Sequence, residues 1–322
     1  MKLQLLRLLQ ERTEHWVVME ALCRELSAEP QQIAKATSAL QSQGFRIEVS
    51  PVSGYRYVVS EEPLWAELLK VPGCKRLGRR IEVVPSTSST NDLAREAASD
   101  LNNDGQVIFA EFQTAGRGRQ GASWVSPAGM NLLLSVLLFD KHGRIKRHLL
   151  TLAAGLALAQ AVKEATGITA KVKWPNDLLI DSQKIGGILV EVCSNRQGEA
   201  ALIIGMGVNC NCSQEDLFSE VKIPANSLRE ISGHIIDRHS LGRSILARLD
   251  EWLEACLADR QQQVRDVYLE LSDLLGRSVE IACEGRRYSG RVVDLDPFEG
   301  ILVQLDHGGV RLFRPAATSL VG

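Results

Sequence analysis

Residues 106–124, QVIFAEFQTAGRGRQGASW, place a short apolar run directly before a loop in which glycine and arginine alternate. The run over residues 106–113 has the length and composition of a buried strand. Residues 116–121, which we call the arginine loop, follow it. Gly116 and its neighbouring glycines let the backbone curl so that N–H groups face an anion, and Arg117 and Arg119 add donors that match carboxylate and phosphate oxygens. The stretch therefore indicates an anion-binding loop at the end of a sheet strand.

The arginine loop fits neither of two common nucleotide-binding patterns. It lacks the lysine of the GxxxxGKS/T phosphate loop, and no helical pattern follows it, as one would follow a dinucleotide-binding GxGxxG turn. A basic surface loop without a ligand is the alternative interpretation of this stretch. The motifs elsewhere in the chain decide between the two.

Apolar runs of strand length alternate with helical patterns on both sides of the arginine loop. This alternation over residues 81–272 predicts an α/β domain with an antiparallel or mixed sheet. The predicted strands are residues 106–113, 131–138, 171–173, 178–180, 187–192 and 200–205, and the predicted helices are residues 147–166 and 241–262.

Residues 1–62, the N-terminal unit, are predicted to form helices over residues 3–12, 17–26 and 30–43 and a hairpin from residues 46–48 and 55–59. This order is typical of a winged helix-turn-helix that binds DNA. A small helical oligomerisation or adaptor unit is the alternative, because the first 60 residues carry seven Lys and Arg against six Glu and are only weakly basic. The residues that the third helix would present to DNA are Gln31, Gln32, Lys35, Thr37 and Ser38.

The remaining segments complete an α+β fold class. Residues 63–80 form a connector with a helical piece over residues 64–70. From residue 273 to residue 322, the C-terminal unit, the pattern changes to strands joined by turns, which predicts a small SH3-like β-barrel. Its predicted strands are residues 278–283, 288–294, 300–305 and 310–314.

Composition limits the class of protein. The 322 residues are 45% apolar and 24% charged, as expected for a soluble globular protein, and the longest apolar stretch, residues 149–162, is shorter than the roughly 20 residues of a membrane span. No secretory signal is visible, so we expect a cytoplasmic protein without a membrane partner. Seven scattered cysteines without a CxxC pair indicate a reducing compartment and no protein metal site. The net charge of −2 requires any nucleic-acid contact to come from a local patch.

Four further motifs accompany the arginine loop. They are Ser89-Thr90-Asn91-Asp92, Lys173-Trp174-Pro175-Asn176-Asp177, Lys184-Ile185-Gly186-Gly187 and Gly205-Met206-Gly207-Val208-Asn209. Taken alone, each has an ordinary structural interpretation, such as a helix capping box over residues 89–92. Together and in this order they resemble the biotin protein ligase family. The resemblance spans the whole chain, including the N-terminal unit, and is closest to the bifunctional BirA type of ligase and biotin operon repressor.

The resemblance implies a role for each matching residue. The biotin-binding residues would be Ser89, Thr90, Asn91, Gln113, Gly116, Arg117, Arg119, Lys184 and Gly187, with Ser89, Thr90 and Gln113 on the ureido group of biotin. The residues for ATP and the adenylate would be Arg119, Trp124, Asn176, Asp177, Lys184 and Asn209. Those closest to the reaction would be Lys184, Arg117, Arg119 and Asp177.

The resemblance also implies the substrates and partners. Biotin and ATP would react to biotinyl-5′-AMP, with Mg²⁺ bound through the ATP phosphates, and biotin would pass to a lysine of the biotin carboxyl carrier protein. Operator DNA and a homodimer formed when biotinyl-AMP is bound would accompany repression. The chain departs from the family pattern where Gln120 and Ala122 replace the usual arginines, and where Pro30-Gln31-Gln32 replaces the usual start of the recognition helix.

Three alternatives remain open on the residues. A lipoate or octanoate transferase has a similar fold. A ligand-sensing repressor without ligation is the second, although Lys184, Arg117 and Arg119 are retained. A ligase whose helix-turn-helix only supports the active site is the third, and the weak basicity of the N-terminal unit favours it.

Overall fold

The first 57 residues fold into three helices and a two-stranded sheet at the predicted positions. The computed structural model describes residues 1–140, 145, 147–194, 198–217, 224–258, 260–272, 274–314 and 318–321. Apolar side chains at helical spacing, such as Leu5, Leu9 and Leu22, are fully buried in a core of their own. The elements are α1 (Lys2–Gln10), α2 (Met19–Leu26), α3 (Pro30–Gln41), β1 (Ile47–Ser50) and β2 (Gly54–Tyr57).

The outer face of α3 carries fewer polar contacts for DNA than the sequence predicts. The prediction that Thr37 faces outward is wrong, because this side chain is 2% exposed and its hydroxyl donates to the carbonyl of Ile33 at 3.0 Å. Gln32 is exposed, but its side-chain oxygen accepts from the backbone N–H of Glu29 at 2.9 Å and closes a capping box. Gln31, Lys35 and Ser38 lie on the exposed face.

Within the described residues, seven strands form the central sheet in the order β3-β4-β5-β9-β8-β7-β6. β3 and β4 are parallel and the other neighbours are antiparallel, so the predicted mixed sheet is confirmed. The strands are β3 (Ile81–Val84), β4 (Val107–Ala110), β5 (Leu132–Phe139), β6 (Lys171–Lys173), β7 (Asp177–Ile180), β8 (Gln183–Ser194) and β9 (Ala200–Val208).

Helices cover both faces of this sheet, which explains why β5 reads as a continuous apolar run. One face packs against α5 and the other against α6, which in turn packs against α9. None of the described helices combines the length and the hydropathy that a membrane span requires. The helices of this part are α4 (Ala66–Leu69), α5 (Thr90–Ala97), α6 (Arg147–Thr166), α7 (Gln214–Leu217), α8 (Leu228–Ser232), α9 (Arg238–Leu257) and α10 (Gln261–Leu271).

The single helix predicted over residues 241–262 is wrong. α9 ends at Leu257, Ala258 leaves the helical conformation, and α10 begins at Gln261. α10 contacts α6 and β6 as well as α9. The buried side chains of Val264 and Tyr268 belong to the same core as the sheet. Apolar periodicity does not reveal such a turn, since it continues through both helices.

The C-terminal unit is an antiparallel sheet with the order β13-β12-β11-β10-β14 in the part of the chain that the structure describes. The four predicted strands are present and a fifth, β14, was not predicted. Closure of the sheet into an SH3-like barrel stays a prediction. The strands are β10 (Ser278–Cys283), β11 (Arg286–Asp296), β12 (Gly300–Leu305), β13 (Val310–Phe313) and β14 (Thr318–Val321).

The start of α9 joins the N-terminal unit to the sheet. The guanidinium of Arg238, 4% exposed, donates to the carboxylate of Glu111 at 2.7 Å and to the backbone carbonyl of Glu62 at 2.6 Å. The backbone N–H of Trp65 donates to Nε2 of His239 at 2.9 Å. Charge-assisted bonds between groups this buried are worth more than surface ion pairs. The N-terminal unit is therefore held in a fixed position on the sheet domain.

We expect His239 to make the stability of this junction sensitive to acid. Burial, followed by the charges of Arg238 and Arg243, lowers the pKa of His239 from 6.5 to about 3. Between pH 6.5 and pH 3 the imidazole is therefore protonated in the unfolded chain but neutral in the folded chain. The stabilisation that is present above pH 6.5 is lost as the pH falls through this range. As the pH falls, the free energy of unfolding should decrease more steeply for the unmodified chain than for His239→Gln. The difference between the two slopes should reach ~1.4 kcal/mol per pH unit.

Denaturant titrations between pH 7 and pH 4 measure this difference. Burial raises the pKa of Glu62 and Asp237, which acts in the opposite direction, so the comparison between variants isolates the imidazole. His234→Gln is the matched control because His234 is exposed, and it should keep the slope of the unmodified chain. Equal slopes for His239→Gln and the unmodified chain would contradict the assignment.

Candidate active site

A cavity of about 250 Å³ opens between the arginine loop, the start of α5 and strands β7, β8 and β9. Most of the residues that the sequence predicts for ligand binding line it. Gly116 and Asn209 do not line it and lie behind its wall. The predicted residues that the cavity brings together are Ser89, Thr90, Asn91, Gln113, Arg117, Arg119, Trp124, Asn176, Asp177, Lys184 and Gly187.

One wall of the cavity is backbone without side chains. Gly187 of β8 lies opposite Gly207 of β9, and the indole ring of Trp124 lies on this pair. A β-carbon on Gly207 would lie 2.5 Å from the ring, and one on Gly187 would lie 3.1 Å from it. Any side chain at Gly207 would therefore displace Trp124.

The arginine loop and the residues up to Trp124 form a small hairpin. The N–H of Trp124 donates to the carbonyl of Gly116 at 2.9 Å, and the N–H of Gly118 donates to that of Ala122 at 2.6 Å. A β-carbon on Gly116 would lie 2.5 Å from the carbonyl oxygen of Trp124. Gly116 thus permits the close approach of the two hairpin arms, which is a different task from ligand contact.

Hydrogen-bonding side chains gather where α5 begins. The side-chain oxygen of Gln113 accepts from the N–H of Thr90 at 2.8 Å and from its hydroxyl at 3.1 Å. The hydroxyl of Ser135 lies 2.7 Å from Thr90 Oγ1 and 2.6 Å from Asn91 Oδ1. This network fixes the orientation of Thr90 and Gln113 beside the cavity. Such an arrangement of donors and acceptors can recognise a small polar ring.

The predicted capping box over residues 89–92 is only half present. The hydroxyl of Ser89 caps α5 by accepting from the N–H of Asn91 at 3.3 Å. The carboxylate of Asp92 instead accepts from the hydroxyl of Ser88 at 2.8 Å and from both terminal nitrogens of Arg117, at 2.9 and 2.6 Å. A charged partner across space holds Asp92 more strongly than the backbone N–H of Ser89 would.

Lys184 supplies one positive charge to the cavity. Its ammonium lies 2.8 Å from Oδ1 of Asp177 and 5.6 Å from the centre of the Trp124 ring. Among the described residues that line the cavity, Asp177 is the only carboxylate. The side chains of Lys184 and Asp177 are 22% and 15% exposed, so both can reach a ligand.

Two arginines supply the other positive charges, and they are held differently. The bidentate hydrogen bond with Arg117 lowers the pKa of Asp92 and raises that of Arg117, so both stay ionised at neutral pH. Arg119 donates to Oδ1 of Asn176 at 3.2 Å and to the carbonyl of Thr318 at 3.4 Å. Both of these acceptors are neutral, and Arg117 is in an ion pair with Asp92.

The two predicted asparagines connect strands. Asn176 donates from its side chain to the carbonyl of Ile188 at 3.0 Å, while its Oδ1 accepts from Arg119. Asn209 is 3% exposed and donates to the carbonyl of Asn226 at 3.0 Å. The structure thus places Asn176 in the cavity wall and Asn209 behind it.

Sequence reasoning missed several residues of this site. Ser135 is the one polar residue of the apolar strand β5, LLLSVLLF. A lone polar residue in a buried strand indicates a hydrogen-bonding role, so Ser135 could have been identified from the sequence. Trp174 is 3% exposed and its indole N–H has no hydrogen-bond partner among the described residues, which marks it as a possible ligand donor within a motif that was recognised. Thr318 and Leu320 reach the site from β14, a strand that was not predicted.

Comparisons with known proteins agree with this geometry. Residues 83–209 match the Biotin/lipoate A/B protein ligase family. The chain is 26% identical over 309 residues, 95% of this chain and 94% of the other, to the bifunctional ligase/repressor BirA of Bacillus subtilis. It is 31% identical over 238 residues, 73% of this chain and 95% of the other, to the biotin–[acetyl-CoA-carboxylase] ligase of Paracoccus denitrificans.

Solved structures show the same similarity. The biotin protein ligase from Aquifex aeolicus in complex with biotin and ATP superposes with a TM-score of 0.63 at 27% identity, over 76% of this chain and 99% of the other. The motifs, the cavity that unites them and the relative from Paracoccus, which is matched over nearly its whole length, point the same way. The chain therefore belongs to the biotin protein ligase family and is a ligase of the BirA type.

Proposed function

We propose that the chain joins biotin to ATP as biotinyl-5′-AMP, with release of pyrophosphate, and then transfers biotin to a lysine of the biotin carboxyl carrier protein of acetyl-CoA carboxylase. The observation that carries the proposal is the cavity itself, which is lined by the hydrogen-bonding side chains of Thr90 and Gln113 and by three cations, Lys184, Arg117 and Arg119. Biotin has a polar ureido ring at one end and a carboxylate at the other. The cavity therefore offers partners for both groups of this substrate.

The first step must bring a carboxylate onto the α-phosphorus of ATP, and the two groups repel each other. One pair of unit charges ~4 Å apart interacts by about 4 kcal/mol at an effective dielectric constant near 20. Lys184, Arg117 and Arg119 all line the cavity and can offset this repulsion. A carboxylate oxygen of biotin forms the new bond to the α-phosphorus, and the bond to pyrophosphate breaks.

Magnesium fits the cavity as an ion held mainly by substrate. When bound, it would neutralise phosphate charge and polarise the α-phosphate. Asp177 is the one carboxylate among the described lining residues, and its Oδ1 has no hydrogen-bond partner beyond the ammonium of Lys184 nearby. Asp177 would therefore be the protein contact of the ion, with phosphate oxygens and water as the other ligands.

In the second step the acceptor lysine attacks the carbonyl carbon of the mixed anhydride. The amide bond forms, the bond from the acyl carbon to the AMP oxygen breaks, and the amine loses a proton. Water would compete with the lysine, and the ring of Trp124 together with the hairpin of the arginine loop limits its access. Lys184 remains beside the departing phosphate and stabilises its charge.

We expect Lys184→Ala to reduce biotin-dependent ATP–pyrophosphate exchange by roughly a hundredfold or more, because an ammonium aimed at the reacting groups is lost. Lys163→Ala is the matched control, since Lys163 is exposed on α6 and should leave exchange unchanged. Thermal unfolding of both variants checks the fold. Exchange at the normal rate in a folded Lys184→Ala variant would contradict this role.

Exchange with biotin, followed by transfer of labelled biotin to a carrier-protein domain, tests the proposal as a whole. Lipoate in place of biotin tests the alternative within the same family, whose description includes both kinds of ligase. Exchange with lipoate alone would replace the proposed substrate. Biotin binding without exchange would favour a ligand-sensing regulator.

A second proposed function is DNA binding by the N-terminal unit as a winged helix-turn-helix, and with it repression of a biotin biosynthesis operon. It is supported by the relative from Bacillus subtilis, which is named a bifunctional ligase/repressor and is matched over 95% of this chain. The exposed face of α3 offers Gln31, Lys35 and Ser38. Both arginines of the hairpin, Arg46 and Arg56, pair with Glu48, which reduces the charge available to phosphates.

We expect the chain to bind duplex DNA with an affinity that falls as salt rises. Replacing Lys35 by Ala should lower the slope of log affinity against log salt by about one per bound subunit, because one phosphate contact is lost. Lys70→Ala is the control, since Lys70 is exposed on the connector outside this unit. An unchanged slope for Lys35→Ala would remove Lys35 from the DNA interface, and absence of DNA binding would favour a ligase without repression.

A third part of the proposal is a homodimer that forms when biotinyl-AMP is bound. A groove of about 830 Å³ adjoins the cavity and is bordered by residues 117–119 of the arginine loop and residues 188–191 of β8. A ligand that fixes the arginine loop would therefore change the surface beside β8. Sedimentation equilibrium of the protein alone, with AMP, and with biotin, ATP and Mg²⁺ should show stronger self-association only in the last case. Equal association constants in all three would refute the dimer switch.

A further inference from the structure

Two carboxylates lie beside the guanidinium of Arg117. Asp92 accepts from both of its terminal nitrogens, and Glu191 lies 3.6 Å from Nη2. Arg95 lies 3.2 Å from Asp92 and 3.3 Å from Glu191. Two acids and two arginines thus form one network whose formal charges cancel. The positive charge that Arg117 presents to the cavity is correspondingly reduced.

This network opposes the binding of an anion at Arg117. A carboxylate or phosphate that reaches the guanidinium must either displace Asp92 or share the guanidinium with it, because both terminal nitrogens are engaged. In either case the ligand approaches two negative charges. Coulomb repulsion between like charges this close is large enough to change affinity even in a partly hydrated site.

The network can lose Arg117 without leaving a carboxylate unpaired. Asp92 would keep the hydroxyl of Ser88, at 2.8 Å, and Arg95. Glu191 would keep the side-chain amide of Asn91, at 2.7 Å, and Arg95. The cost of releasing Arg117 to a ligand is therefore moderate, since each acid retains a donor. The arrangement suits an exchange of partners on ligand binding.

We propose that Asp92 is a positioning residue that competes with an anionic ligand for Arg117 and thereby weakens retention of biotin and biotinyl-AMP. The inference rests on the proposed function, because it takes biotin as the anionic ligand. A purely structural role, in which the ion pair arranges the arginine loop for binding, predicts the opposite sign.

Calorimetric titration of the full chain with biotin tests the proposal. Asp92→Asn keeps the size of the side chain and one acceptor for Arg117 but removes the charge, and it should bind biotin about three- to tenfold more tightly at low salt. The gain should shrink at ~0.5 M salt because screening weakens the repulsion. The KM for biotin in pyrophosphate exchange should fall by the same factor. Biotinyl-AMP should dissociate more slowly.

Glu96→Gln is the matched control. It removes a carboxylate from the same helix at an exposed position, and it should change biotin affinity by less than about twofold. Equal or weaker biotin binding by an Asp92→Asn variant that melts like the unmodified chain would overturn the proposal. If Asp92→Asn fails to fold, the same biotin titration is made with Glu191→Gln. This variant should bind biotin more tightly than the unmodified chain, with a smaller gain than that expected for Asp92→Asn. No gain in affinity would refute the proposal.

The same titrations separate this inference from the proposed function. An unmodified chain that neither binds biotin nor exchanges pyrophosphate would refute both. An unmodified chain that binds and exchanges, with Asp92→Asn no tighter, would refute the role of Asp92 alone.

Discussion

The register of β8 against β9 is the constraint on which the active site depends. It sets Gly187 opposite Gly207, so that a patch of bare backbone faces the cavity. Trp124 can lie on this patch only because neither residue has a β-carbon. The backbone N–H of Trp124 also donates to the carbonyl of Gly116, the first residue of the arginine loop, and so fixes the start of the loop. A shift of one residue would end this pairing, because Gly187 would then lie opposite Met206 or Val208.

The positive charge of the site is stored in contacts that a ligand must rearrange. Lys184 is paired with Asp177, and Arg117 is paired with Asp92. The free energy of ligand binding is therefore the difference between the contacts that the cations make with the ligand and those that they make with Asp177 and Asp92. The strength of these ion pairs helps to set the affinity. Arg119 likewise has contacts that a ligand must rearrange, among them those with Oδ1 of Asn176 and the carbonyl of Thr318.

Local structure could be predicted from the sequence much further than long-range pairing. The helix over residues 147–166 and the strands over residues 171–173 and 300–305 have the predicted bounds, because periodicity and flanking turn residues determine them. The resemblance to a known family grouped residues that the structure finds in one cavity. The pairing of Asp92 with Arg117 could not be predicted, since it joins a helix start to a loop 25 residues later. The inward position of Thr37 could have been predicted, since it follows Ile33 by four residues and precedes Leu40 by three, on one face of the helix. Its polar hydroxyl is satisfied within the helix by the carbonyl of Ile33.

The junction at α9 orders the events of biosynthesis. The core of the N-terminal unit, with Leu5, Leu22 and Leu40, is built from neighbours in the chain and can form as soon as that segment leaves the ribosome. Its attachment has to wait, because Trp65 bonds to His239, 174 residues later, and Glu62 bonds to Arg238, 176 residues later. The contacts that attach the N-terminal unit therefore form only after α9 is made, and α9 also supplies part of the core of the sheet domain. Completion of the sheet domain and attachment of the N-terminal unit thus depend on the same helix.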